Sequence, residues 1–159
     1  MQSKMNKLLI PVDGSEFSLK VLPYVMRFSA PQKSELILLH VAELPSILRL
    51  ENSDDEEPVI YPDREVAALE AAFQAALQPQ IDKLTQAGFK VTPMLRFGEP
   101  TAEIERLIEE EQIDLVAMTT HGRTGLARML LGSVAQYLIN HAAVPVLMIR
   151  AFDKTRAEE

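Results

Sequence analysis

Cysteine is absent from this chain. That excludes disulfides, thiolate metal sites and a cysteine nucleophile, and it fits a reducing compartment. Long hydrophobic runs are also missing: no stretch approaches the roughly 20 apolar residues of a membrane-spanning helix. Near the start, Leu8-Leu9-Ile10-Pro11-Val12 is too short for the core of a signal peptide. The expectation is a cytoplasmic protein with no membrane association. Positive charge is in deficit, with 16 Lys and Arg against 23 Asp and Glu and a net charge of −7. Such a balance argues against non-specific binding to nucleic acid or anionic membranes. It leaves room for a small anionic ligand, because phosphate sites depend on local donors.

Several motifs are absent as well. The chain has no Gly-x-x-x-x-Gly-Lys-Ser/Thr loop and no Gly-x-Gly-x-x-Gly after its first apolar run. A phosphorylation receiver needs an acid after its third strand and a lysine after its fifth, where this chain has Phe97-Gly98 and Arg150. Its three histidines, His40, His121 and His141, do not form a metal-ligand pair at helical spacing, so no metal site is expected. His40 falls in an apolar run and reads as a core residue. His141 sits near a helix end and reads as a partner of the helix dipole.

What is present points to one α/β domain over residues 1–159. A chain of this length is one domain by the usual prior, with apolar and charged fractions ordinary for a globular protein. Five apolar runs read as strands: Lys7 to Val12, Leu36 to Val41, Val91 to Phe97, Leu115 to Met118 and Val144 to Ile149. Helical patterns alternate with them. The first follows Ser15 and carries Leu19, Leu22, Val25 and Met26, with Pro23 predicting a kink. The second carries Val66, Leu69, Phe73, Leu77, Ile81 and Leu84 and ends near Gly88. The third opens at Gly98-Glu99-Pro100-Thr101 and carries Ile104, Leu107 and Ile108. The fourth spans Val134 to Ile139. Residues 45–62 read as a mobile acidic insert, and 153–159 as a charged tail. Continuous apolar strands alternating with helices predict a single open five-stranded parallel sheet, doubly wound, in the order 3-2-1-4-5. Pro93 cannot donate to a ladder, which places the third strand at an edge.

In such a sheet, ligands bind beyond the carboxyl ends of the strands where strand order reverses, here between the first and fourth. Two turn-rich segments follow those strands: Pro11 to Ser15, and Thr119 to Ser133. The second contains His121-Gly122-Arg123-Thr124-Gly125 and ends in Gly132-Ser133 at a helix start. Its glycines either let backbone N–H groups approach a phosphate or only shape a surface connection. The convergence of sequence and topology on one crevice favours the ligand. Asp13 either accepts from ribose hydroxyls or starts an Asx-turn. His121 is a candidate to face the ligand.

At these residues the chain resembles the universal stress protein family. The resemblance rests on Ile10-Pro11-Val12-Asp13-Gly14-Ser15, Leu38-Leu39-His40-Val41, the stretch from Asp114 to Ser133, and Val144-Pro145-Val146-Leu147. It implies a five-stranded doubly wound fold, usually dimeric. The family's nucleotide-binding branch carries Gly-x2-Gly-x9-Gly-Ser/Thr after the fourth strand. Gly122 matches the second glycine, Gly132 the third and Ser133 the hydroxyl residue. The resemblance implies that these hold a triphosphate, that Asp13 meets ribose and that the Val41 backbone meets adenine. Thr119 replaces the first glycine, which predicts weaker triphosphate binding.

The expected ligand is ATP or a related adenine nucleotide, with Mg²⁺ held mainly by the phosphates. The expected site is Pro11, Val12, Asp13, Val41, Met118, Thr119, His121, Gly122, Arg123, Gly132, Ser133 and Val134. No catalytic base is evident, so hydrolysis is expected to be slow or absent. A homodimer through Val144–Ile149 and a signalling partner are further expectations. One alternative is a protein-interaction module of the same fold that does not bind nucleotide. Another is an enzyme using His121 as acid–base on a phosphorylated substrate.

Overall fold

A computed structural model of the chain describes residues 6–43, 63–120 and 132–150. The acidic segment 45–62, the tail 153–159 and the stretch 121–131 lie outside the described residues. Five strands form one sheet in the order β3-β2-β1-β4-β5, and every recorded pairing is parallel. The strands are β1 (Asn6–Pro11), β2 (Ser34–Ala42), β3 (Lys90–Phe97), β4 (Leu115–Thr120) and β5 (Val146–Arg150). The helices are α1 (Glu16–Leu19), α2 (Leu22–Phe28), α3 (Asp63–Gln86), α4 (Pro100–Glu110) and α5 (Ser133–His141). This is the doubly wound 3-2-1-4-5 sheet that the strand–helix alternation predicts.

Alternate side chains of the central strands enter two separate cores, because successive residues of a strand face opposite ways. Leu8 and Ile10 of β1 and Leu36 and Leu38 of β2 pack with Val21, Leu22 and Val25 and with Leu77 and Leu84 of α3. On the other face, Leu9, Ile37, Leu39, Val116 and Met118 pack with Ile104, Leu107 and Ile108 of α4 and Ala135 and Leu138 of α5. Leu9, Ile10, Leu36 and Leu38 are fully buried, which is why the strands read as unbroken apolar runs. Charge collects at the opposite, amino end of the sheet. Lys7 Nζ meets Glu111 Oε2 at 2.9 Å, and Lys90 Nζ meets Glu35 Oε1 at 3.0 Å. The contact with Glu111 raises the Lys7 pKa, and the same contact lowers that of Glu111.

Among the boundaries that differ from the sequence reading, three have a clear backbone reason. The expected single kinked helix after Ser15 is two helices, with Pro23 in the first turn of α2. Proline has no N–H to bond backward, so the chain breaks the helix ahead of it, where a first turn tolerates the loss. The fourth strand extends past the apolar run: Thr119 and Thr120 pair with Ile149 and Arg150. Threonine is β-branched and suits a strand despite its hydroxyl. The fifth strand begins at Val146 rather than Val144, because the Pro145 carbonyl accepts from the Val116 N–H but its nitrogen cannot donate. The long α3 passes through Pro79 and ends at Gln86, two residues before Gly88, whose φ of +93° suits the turn after a helix terminus.

Candidate functional site

The site begins where two neighbouring strands stop pairing. The recorded β1–β4 register ends at Leu9 with Val116. Beyond it, β1 stays with β2 as far as Pro11 opposite Leu39, and β4 stays with β5 as far as Thr120 opposite Arg150. Strand order reverses between β1 and β4, so their crossover helices leave toward opposite edges and nothing in the sheet fills the gap. A cavity of about 150 Å³ opens there. That volume is enough for a benzene-sized ring.

Each wall comes from a different element. Pro11, Val12 and Asp13 extend from β1, and Phe17 and Ser18 from α1. Leu39, His40 and Val41 come from β2, and Met118 and Thr119 from β4. Pro100 and Ile104 of α4 and Val134 of α5 complete it. The lining is mainly apolar, with Asp13 as its one carboxylate among the described residues. Lys20 Nζ lies 5.2 Å from the centre of the Phe17 ring, which places a cation over one wall.

The β1–α1 loop is held by its own side chains. Asp13 Oδ1 accepts from the Ser15 N–H at 2.9 Å and from the Ser15 hydroxyl. The Ser15 Oγ in turn accepts from the Ser18 N–H at 3.2 Å and caps α1. The Asx-turn is therefore present, and its aspartate still lines the cavity. Gly14 between them has φ +79°, a conformation costly for a side chain with a Cβ. On the far side, Gly132 is the N-cap of α5 and supplies no side-chain cap.

Of the expected residues, Pro11, Val12, Asp13, Val41, Met118, Thr119 and Val134 converge on the cavity. Gly132 and Ser133 stand immediately before Val134 at the α5 start and are not among its lining residues. His121, Gly122 and Arg123 lie outside the described residues. Sequence reasoning missed Phe17, Ser18, Leu39, His40, Pro100 and Ile104. His40 does satisfy its ring through a hydrogen bond, as a core residue would, but it is half-buried and faces the site. Ser18 could be anticipated from its place three residues past the Ser15 cap. Pro100 and Ile104 left no local signal, because only the docking of α4 on the sheet brings them here. His141 bonds the Tyr137 carbonyl in the last turn of α5, away from the cavity. Among the described residues no group of three or more His, Asp or Glu could hold a metal ion. Nor is any described helix long and apolar enough to cross a membrane.

These features define a class: a doubly wound α/β protein with an apolar cavity at its topological switch point. The model of the universal stress protein family matches residues 4–150, and the chain belongs to that family. It is 30% identical over 158 residues to universal stress protein MJ0577 of Methanocaldococcus jannaschii, covering 94% of this chain and 98% of the relative. The solved structure of MJ0577 superposes with a TM-score of 0.72 over the same shares of the two chains. Two more distant structures share the fold. A universal stress protein in complex with cAMP gives a TM-score of 0.63 at 20% identity, covering 93% of this chain and 98% of that one. An Arabidopsis thaliana member of the family with AMP bound gives 0.62 at 16%, covering 96% and 97%.

The α4 wall of the cavity depends on an unusual cap. Glu99 accepts from the Ala102 N–H at 2.8 Å and from the Thr101 hydroxyl. The Thr101 hydroxyl, and after it the Ala102 N–H, hold the Glu99 carboxyl below its ordinary pKa. A carboxyl lowered in the folded state stabilises the fold above its unfolded pKa and loses that contribution as pH falls through the folded value. Glu99→Ala should therefore cost about 1 kcal/mol at pH 7, the usual worth of a side-chain N-cap. The difference from wild type should shrink once pH drops below the ordinary carboxylate range. Urea denaturation of both proteins at neutral and acid pH checks this, and an equal gap at both would show that ionised Glu99 is not the cap.

Proposed function

We propose that this protein binds an adenine nucleotide, ATP or a close relative, in the cavity between β1 and β4, and acts in stress signalling rather than catalysis. The single observation that carries the reading is a ring-sized apolar cavity at the switch point with Asp13 on its lining. Adenine enters among Val41, Ile104 and Met118, with the Val41 backbone on its edge. Asp13 accepts from the ribose hydroxyls. The phosphates run toward the start of α5, where Gly132 gives close backbone approach and Ser133 a hydroxyl. His121, Gly122 and Arg123 complete the phosphate side, and Mg²⁺ is carried mainly by the phosphates. The AMP and cAMP held by two proteins of this fold support the adenine part of the reading. The direct test is to denature freshly purified protein and identify released nucleotide by mass spectrometry. Gly132→Val should fill the phosphate space and abolish binding with the fold intact. Undiminished ATP affinity by calorimetry in that variant would refute the assignment of the phosphate end.

A second reading, an interaction module without nucleotide, is favoured by one observation. Thr119 is 6% exposed and occupies the place of the family motif's first glycine. A β-branched side chain held in a ladder has little room to retreat from a ligand. A steric cost of about 1–2 kcal/mol corresponds to roughly five- to thirty-fold in affinity. Thr119→Gly should therefore tighten binding, and more for ATP than for AMP. Looser ATP binding in that variant would make the threonine hydroxyl a phosphate donor instead.

The protein also pairs with itself in this reading. Strand β5 is a short apolar sheet edge, and an edge of this kind tends to pair with another chain. Antiparallel pairing of the Val144–Ile149 segment with its twin gives an isologous dimer, in which Pro145 is the one residue of the segment that cannot donate. Light scattering at micromolar concentration should return twice the chain mass, and a persistent monomer would count against the interface.

A further inference from the structure

We infer that His40 is a positioning residue of the site: it latches the β1–α1 loop, and with it Asp13, to the end of β2. The argument starts from backbone accounting. Strand β1 ends at Pro11, and Val12 beyond it is buried. A buried backbone carbonyl and N–H both need partners. The Val12 N–H donates to the Leu39 carbonyl at 2.8 Å. The Val12 carbonyl lies 2.8 Å from His40 Nδ1. A carbonyl only accepts, so Nδ1 carries the proton in this contact.

The ring itself is held from a third element. His40 follows Leu36 and Leu38 on one face of β2, and Phe73 of α3 stacks on it at 5.6 Å between ring centres, with 25° between the planes. Strand β2, helix α3 and the end of β1 thus meet at one imidazole that also lines the cavity. From Val12 the loop runs only to Ser15, where the Asp13 and Ser15 hydrogen bonds tie it to α1. His40 fixes the strand end of that loop, and the serine cap fixes the helix end. With the latch removed, the orphaned carbonyl turns toward water and Asp13 loses its setting against the ligand. The ligand half of this inference rests on the nucleotide reading, whereas the latch itself does not.

The test uses a pair of variants that separates latching from packing. His40→Leu keeps an apolar side chain against Phe73 but has no donor. His40→Asn gives up the ring stack but places an amide N–H close to where Nδ1 stands, since both atoms are bonded to Cγ. Hydrogen exchange without ligand should quicken about tenfold at Asp13 and Ser15 in His40→Leu, the worth of one hydrogen bond, while Leu9 and Ile10 stay unchanged. The affinity for ATP by calorimetry should fall by about the same factor, and His40→Asn should restore both to within about threefold. If His40→Leu matches wild type in loop exchange, or if His40→Asn is no better than His40→Leu, the latch is overturned. Nitrogen NMR of the wild-type ring gives a check that needs no variant: an Nε2–H tautomer would also overturn it. Wild-type protein that binds no adenine nucleotide yet shows the exchange pattern would keep the latch and sink the nucleotide reading.

Discussion

Strands β1 and β4 run side by side for only two registered pairs before they part, and the rest of the molecule follows from that divergence. A parallel sheet must be covered on both faces, so each crossover carries a helix. Right-handed crossovers place α1, α2 and α3 on one face when the chain winds toward β3. They place α4 and α5 on the other when it winds toward β5. The connections that leave β1 and β4 at the carboxyl end go to opposite faces, which opens one gap between those two strands. The cavity is that gap, and its walls come from both faces because both sets of helices begin beside it.

The two ends of the sheet have opposite chemistry. At the amino end, Lys7 with Glu111 and Lys90 with Glu35 join strand starts to their neighbours, and the Lys7 N–H reaches Asp114 at 2.9 Å. These partly exposed pairs settle register more than they add stability. At the carboxyl end the surroundings are apolar, and the polar groups present are committed to shaping loops. Asp13, Ser15 and Ser18 close the β1–α1 turn, Glu99 starts α4, and His40 meets Val12. A site assembled this way is organised before a ligand arrives, which reduces the ordering cost of binding.

Whether Thr119 supports or opposes a ligand turns on a balance of two terms of similar size. Its side chain is buried beside the cavity, and it stands opposite Ile149 in the β4–β5 register. The steric term opposes close approach by phosphate. The hydroxyl could return about 1 kcal/mol through one hydrogen bond. A glycine at the same place would have neither, at the expense of a weaker strand end.

The sequence by itself determined the architecture. Unbroken apolar runs such as Leu36 to Leu39, alternating with helical patterns, point to strands buried on both faces. Pro93 consigned β3 to an edge, and Gly88 marked the turn after α3, because these are local consequences of backbone chemistry. Half of the site was legible for the same reason: Pro11 to Asp13, Val41, Met118 and Thr119 stand at strand ends that topology brings to the switch point. Tertiary structure alone decided the rest. Pro100 and Ile104 became a cavity wall when α4 docked on the sheet. His40 looked like any other residue of an apolar run. What made it the partner of Val12 was the three-dimensional meeting of β1, β2 and α3, a contact between residues 28 positions apart that no periodicity encodes.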